Sequence, residues 1–203
     1  MKKALLLVSI LLISVVSTAC INNLAVQELN NKAKTYMEKG DYQGAIERLK
    51  SSLDLDESVF ETHYNLAVAY TKAEDYAHAI ESYTNALKIN PDFADAYYLL
   101  AVCEENLTKD LISGIVKIDE DGSIRLLTPS EIEEAAEESD SKNNKLSDAD
   151  KSMVVELLNR AMEDYKTYLE KNPSADDKKE VEDKIEQLDK MVLDYSDTQE
   201  VSQ

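Results

Sequence analysis

Residues 26–59 and 60–93 are two versions of one 34-residue unit. Ala33 pairs with Ala67, Tyr36 with Tyr70, Asp41 with Asp75, Tyr42 with Tyr76, Ala45 with Ala79, Ile46 with Ile80, Glu47 with Glu81, Leu53 with Leu87 and Asn31 with Asn65. A period of this length with small residues at fixed places is the signature of stacked helix pairs. Packing explains the alanines. Ala33 and Ala67 stand where the first helix of a unit crosses the second, and Ala45 and Ala79 at the matching point on the second helix. A larger side chain at either place would push the axes beyond the usual spacing of about 8–10 Å. "KGDY" and "AEDY" form the turns, with Asp41 and Asp75 placed to cap the second helix. Pro91 ends the second unit. With 4 Gly and 3 Pro in 203 residues, the chain lacks the turn chemistry of a sheet-rich fold.

A third unit opens at Ala94, where Tyr97, Leu100 and Ala101 fit a first helix. Its second helix does not follow at once. The pattern returns in "RAMEDYKTYLEKNP": Ala161 repeats Ala79, Tyr165 repeats Tyr83, Leu169 repeats Leu87 and Pro173 repeats Pro91, each at an offset of 82, which is 34 + 48. The third repeat is therefore expected as 94–106 plus 155–173, split by an insertion over 107–154. Within the insertion, "IVKIDEDGSIRLL" alternates around Asp121-Gly122 as a β-hairpin does. Its glycine comes too early for a calcium loop. Thr128-Pro129-Ser130-Glu131 reads as a capping box opening a short acidic helix, and Ser147 as the cap of a long helix from about 148 to 171. Residues 174–194 carry Val181, Ile185, Leu188 and Val192 on one stripe, as suits the polar-backed cap of an array. Residues 195–203 are expected to be a disordered tail. The expected fold is all-α: a solenoid of about three helix pairs plus a C-terminal capping helix, its third repeat interrupted by an insertion with a small hairpin.

These residues resemble the tetratricopeptide repeat (TPR). The second unit carries the match best, through Leu66, Ala67, Tyr70, Tyr76, Ala79, Tyr83, Ala86 and Pro91. The first unit departs from the pattern at Lys32, Ser52 and Glu57. The resemblance implies that the first helices line a groove for an extended peptide or a partner helix. Carried over by position, that groove holds Asn30, Lys34, Met37, Tyr64, Asn65, Val68, Thr71, Lys72, Tyr98, Leu99, Val102, Glu105 and Asn106. Tyrosines offer contact area at little entropic cost, and asparagines can bond peptide backbone. An inner face with no dedicated ligand is the plainer alternative. TPR domains that clamp a chaperone's terminal carboxylate need basic residues in the third repeat. Here those positions hold Asp95 and Leu99, and Asp95 would repel such a ligand.

The N-terminus reads "MKKALLLVSILLISVVSTAC". Lys2 and Lys3, a 13-residue apolar run and then small residues make the layout of a secretory signal over 1–19. The run is short for a bilayer-spanning helix. Thr18-Ala19-Cys20 resembles the end of a bacterial lipoprotein signal, which implies acylation of Cys20 and a tether over 20–25. Ser17 stands where that motif usually has Leu. Cleavage without acylation and an uncleaved anchor are the other readings of the segment. The expected localisation is a bacterial membrane, either the outer membrane or the outer face of the cytoplasmic membrane.

Acids outnumber bases 41 to 22, for a formal charge of -19, so nucleic acid is not an expected partner. Neither a metalloprotease, a serine-hydrolase nor a phosphate-loop motif is present. His63 and His78 stand 15 apart on different helices, and no metal site or cofactor is expected of them. Cys103, inside "YYLLAVCEEN", reads as a small core residue. The chain is expected to be no enzyme and to bind no small-molecule substrate. It is read as a scaffold for a protein or peptide partner in the cell envelope. The alternatives are a self-assembling structural module, or an assembly factor for an outer-membrane or pilus complex.

Overall fold

The computed structural model describes residues 22–119, 123–133 and 146–196. Helix α1 covers 22–38. It is followed by α2 (Tyr42–Leu53), α3 (Phe60–Lys72), α4 (Tyr76–Ile89) and α5 (Ala94–Ile112). A two-stranded hairpin comes next, β1 (Val116–Ile118) and β2 (Ile124–Leu126), then a short helix α6 over 129–133, then α7 (Asp148–Lys171) and α8 (Lys178–Ser196). Among the described residues no helix is long and apolar enough to cross a membrane.

Helices pair as α1 with α2, α3 with α4 and α5 with α7. The crossing alanines Ala33, Ala45, Ala67, Ala79, Ala101 and Ala161 are all fully buried. Both turn aspartates cap as the sequence requires: Asp41 accepts from the Gly44 amide at 2.9 Å and Asp75 from the His78 amide at 3.4 Å. The residue before each aspartate has a left-handed backbone, Gly40 at φ 75° and Glu74 at φ 60°. Glycine takes that conformation without cost, whereas glutamate does not. Tyr36 packs over Gly44, where a Cβ would sit 2.8 Å from the ring.

Hydrogen bonds across the units show which helices share a layer. Asn30 on α1 reaches Thr62 on α3 at 2.9 Å, Thr71 on α3 meets Cys103 on α5 at 3.2 Å, and Lys184 on α8 meets Glu105 on α5 at 3.4 Å. The first helices α1, α3, α5 and α8 thus form a continuous layer, and α8 stands in it as the start of a fourth unit that goes no further. Its Val181 and Leu188 are buried, as the stripe required.

Helix α7 spans the expected 148–171, so the expected end of the insertion at 154 falls inside it, and α5 runs past the insertion's expected start. Helix α5 continues to Ile112 and α7 begins at Asp148, so 107–112 and 148–154 are helical. Leu107, Leu111 and Val154 are buried along this extended contact, which lengthens both helices by more than the repeat alone requires. Ser147 caps α7 with a full capping box to Asp150. The excursion itself is 113–147. Its hairpin pairs Val116 with Leu126 and Ile118 with Ile124, and Val116 is buried beneath it. Thr128 and Glu131 make the expected box, the Thr128 amide donating to Glu131 at 2.8 Å. The acidic stretch beyond 133 lies outside the described residues, as do 197–203 of the expected tail, whose first two residues, Tyr195 and Ser196, instead close α8. Residues 22–25, read from sequence as tether, are already helical, and the expected cap begins at Lys178 rather than 174.

Candidate partner-binding groove

The first-helix layer divides into two parts. At the α1–α3 end a cavity of about 510 Å³ is lined by five side-chain amides, Asn23, Gln27, Asn30, Asn31 and Asn65, by the acids Asp56 and Glu61, and by Val26 and Val59. Asn30 and Asn65 were expected on this face and stand together, the Asn65 amide donating to Asn30 Oδ1 at 3.4 Å. Asn30 is committed inward as well. Its amide donates to Ser52 and to Thr62, each at 2.9 Å, and to the Val26 carbonyl at 3.0 Å. Ser52, a departure from the repeat pattern, is thereby explained. With Thr62 it is fully buried, and Asn30 satisfies both hydroxyls. Asn30 therefore holds α1, α2 and α3 together, and Asn65 and Asn31 are better placed to meet a ligand. Asn23, Gln27 and Asn31 were not expected on this face, although Asn31 stands one repeat before Asn65. Their i, i+4 spacing places them on one helical face, and Gln27 donates to Asn23 at 3.0 Å.

Next along the layer is an aromatic cluster. Tyr64 lies edge-on to Tyr83 at 5.8 Å and to Phe93 at 5.2 Å, and stacks on Phe60 at 5.8 Å. Burial, and then the charge of Asp95, hold its phenol above the usual tyrosine range. Val68 is half-buried, while Lys34 and Lys72 are exposed on α1 and α3.

At the α5 end Tyr98 repeats the packing of Tyr64: it is turned against the second-helix layer, 5.6 Å from Tyr165, as Tyr64 is 5.8 Å from Tyr83, and lies 5.2 Å from Tyr168. Glu105 accepts from Tyr165 at 3.1 Å and pairs with Lys109 at 2.7 Å. The ammonium groups of Lys109 and Lys184 keep its carboxyl below the ordinary range despite burial. Asn106 is approached by Lys109 at 3.5 Å, and Val102 is half-buried. Of the expected groove residues, Lys34, Tyr64, Val68, Lys72, Tyr98, Val102 and Asn106 do not line the amide-walled cavity.

The hairpin does not sit on either part. With the C-terminal end of α5 it borders a crevice of about 130 Å³ against the α3–α4 turn, walled by Glu74, Tyr76, His78, Leu107 and Asp110. Arg125 is held at the hairpin by Glu131 at 2.8 Å and Asp119 at 3.4 Å.

Among the described residues no three metal-ligating side chains cluster. His78 bonds Asp75 at 2.8 Å and stacks on Tyr70, and His63 bonds the Glu57 carbonyl at 2.8 Å. Cys103 is fully buried, its thiol pushed up to about 11 by burial. A protonated, enclosed thiol is no nucleophile. Cys20 lies outside the described residues.

Two family models match the sequence: a tetratricopeptide repeat over 60–93 and a TPR repeat over 33–73. No curated protein matches it. The fold is similar to that of several solved TPR domains. One is the first TPR of Spaghetti (RPAP3) bound to the HSP90 peptide SRMEEVD, at 17% identity and TM-score 0.54, covering 84% of this chain and 94% of that one. Another is the second TPR domain of human RPAP3 with the HSP70 peptide SGPTIEEVD, at 16% identity and TM-score 0.54, covering 81% and 98%. A third is the Arabidopsis OM64 TPR domain, at 13% identity and TM-score 0.54, covering 82% and 98%.

Proposed function

We propose that the chain, whose sequence matches tetratricopeptide-repeat models over 33–93, is a membrane-anchored scaffold of the bacterial cell envelope that holds an extended partner peptide on its first-helix layer. The observation that supports this reading is the cavity of about 510 Å³ between α1 and α3, walled by amides and followed by the Tyr64 aromatic cluster. Side-chain amides both donate and accept, so they can pair with peptide backbone whatever its sequence. The aromatic cluster beside them offers a flat apolar contact.

The charge around the groove selects among peptides. Asp56 and Glu61 border the cavity and Asp95 acts on Tyr64. The first TPR of Spaghetti (RPAP3) and the second TPR of human RPAP3 hold HSP90 and HSP70 peptides that end in EEVD. An acidic terminus of that kind would meet carboxylates in this chain. The partner segment is accordingly neutral or basic.

Binding of labelled peptides of graded charge to the full chain tests this. Neutral or basic extended peptides should bind, and Asn65→Ala with Asn31→Ala should weaken them about tenfold, the loss expected for two or so hydrogen bonds. A groove indifferent to every peptide, in a chain that sediments as a concentration-dependent oligomer, would replace the scaffold with a self-assembling module.

A further inference from the structure

Outside the groove, α1 and α2 of the first unit border an open cleft of about 430 Å³ lined by Lys32, Thr35, Tyr36, Lys39 and Arg48. Three of its five walls are cations and none is an acid, in a chain whose formal charge is -19. In the second unit the same positions, 34 residues on, hold Leu66, Ala69, Tyr70, Ala73 and Ser82. Leu66, Ala69 and Ser82 are buried there, and the preceding helices supply the cover. In the first unit Lys32, Thr35 and Arg48 replace them. Solubility alone accounts for a change from apolar to polar at an array's end. It does not account for the sign, since this chain uses acids for its polar surface almost two to one, 41 against 22.

The fittings of the cleft suit an oxyanion. Tyr36 is fixed by its contact with Gly44, and gives the cleft a rigid wall. Arg48 keeps Nε shut from solvent, without a hydrogen-bond acceptor among the described residues, while its side chain is 40% exposed. Its nearest carboxylate, Glu47, is 3.7 Å away and largely exposed. Lys32 is paired with Glu28 at 2.6 Å on the outer edge, and Lys39 is exposed beside the turn. A partly enclosed guanidinium whose paired carboxylate is 3.7 Å away and exposed gains from an anion that fits its planar fork, and the Lys32 and Lys39 ammonium groups add donors, while the Thr35 hydroxyl is spent on the Asn31 carbonyl at 3.1 Å.

We propose that this cleft is a phosphate-binding site, separate from the peptide groove, which takes the phosphate of a lipid headgroup or of a small soluble molecule. The site lies on the helix pair nearest the N-terminus, and it does not depend on what the groove binds.

Residue-resolved lysine acetylation, read by mass spectrometry on the full chain in non-ionic detergent, tests the site. Inorganic phosphate should slow modification of Lys32 and Lys39 about fivefold relative to chloride at equal ionic strength, as charge-assisted bonding to both amines requires. Lys34 and Lys72 should be unaffected. Arg48→Gln should abolish the protection. Lys39→Gln, at an exposed position that cannot unfold the chain, should abolish it at Lys32. The chain is then placed on vesicles of phosphatidylglycerol or of phosphatidylcholine without free phosphate. Protection there identifies a lipid phosphate as the source, and protection by free phosphate alone identifies a soluble one. Equal protection by chloride, protection shared with Lys34 and Lys72, or no protection by phosphate in any form overturns the proposal.

Discussion

Glu104 stands 34 residues after Tyr70, and Tyr70 stands 34 after Tyr36. A carboxyl thus occupies a core tyrosine position of the repeat, and it is fully buried between α5 and α7. Arg160 comes within 2.7 Å of it, yet neither carboxyl oxygen has a well-directed hydrogen bond among the described residues. Burial first, then the neighbouring Asp164 charge, pushes Glu104 up to about 8, against the pull of Arg160. Burial likewise pushes Asp164 up to about 6. Both folded-state values exceed the unfolded ones, so the folded chain binds these protons more tightly. Their contribution to stability is complete below about pH 4 and is lost as pH rises through about 6 and then about 8. Thermal melts should therefore fall between about pH 4 and pH 8 and level off above it. Glu104→Gln should flatten that fall and be the more stable chain at pH 9 by about 2 kcal/mol. Parallel pH profiles for the two chains would remove Glu104 from the account. At the crossing of the second unit the argument is steric. Ala79 is fully buried, so Ala79→Leu overpacks the α3–α4 contact at about 1–3 kcal/mol, while Ala77→Leu, at a half-open position, should be much milder. Chemical denaturation of the two variants decides between this register and a shifted one.

At the scale of elements, the third unit shows what a period can and cannot reveal. The alanine and tyrosine spacings locate α5 and α7 as partners across the excursion because the crossing positions tolerate few residues. The same spacing says nothing of helix length. Helix α5 outlasts its repeat because Leu107 and Leu111 extend its apolar face, and α7 begins early because Ser147 and Asp150 cap it. Glu104 was legible by adding 34 to Tyr70, but its burial was not, since an acid at one helical position reads as solvent-facing until its neighbours are known. Asn30 shows the converse. Position in the repeat places it on the groove face, and only the partners Ser52 and Thr62 reveal that most of its hydrogen bonding is spent within the array. The corrected bounds sharpen a test of the excursion. The contact of α5 with α7 is made by residues on the helices themselves, so replacing 113–147 with a tight turn should leave a helical, cooperatively melting chain. Loss of the buried Val116 should lower its stability by about 1–3 kcal/mol. Circular dichroism reads both quantities, and a chain that melts without cooperativity would make the hairpin part of the core.

For the whole molecule the decisive question is where the array is held. Helix α1 is already formed at residue 22, two residues beyond Cys20. If Cys20 carries acyl chains, as the Thr18-Ala19-Cys20 ending implies, little slack separates the first unit from the lipid surface. Both the amide-walled cavity, which begins at Asn23, and the basic cleft of the first unit then work close to that surface. Each buried methylene adds roughly 0.8 kcal/mol to membrane affinity, so two or three chains anchor firmly where one does not. The prediction has two parts that different readings separate. The mature protein should begin at Cys20, carry an acyl mass there and partition into detergent. The Cys20→Ala chain should lack that mass, and if export proceeds by ordinary cleavage of the signal it should appear in the soluble fraction. A Cys20→Ala chain held as firmly as the parent, with residues 1–19 still attached, would mean that an uncleaved apolar helix does the anchoring. Mass spectrometry of the N-terminal peptide tells the outcomes apart, because acylation, simple cleavage and retention leave three different masses on the same stretch of chain.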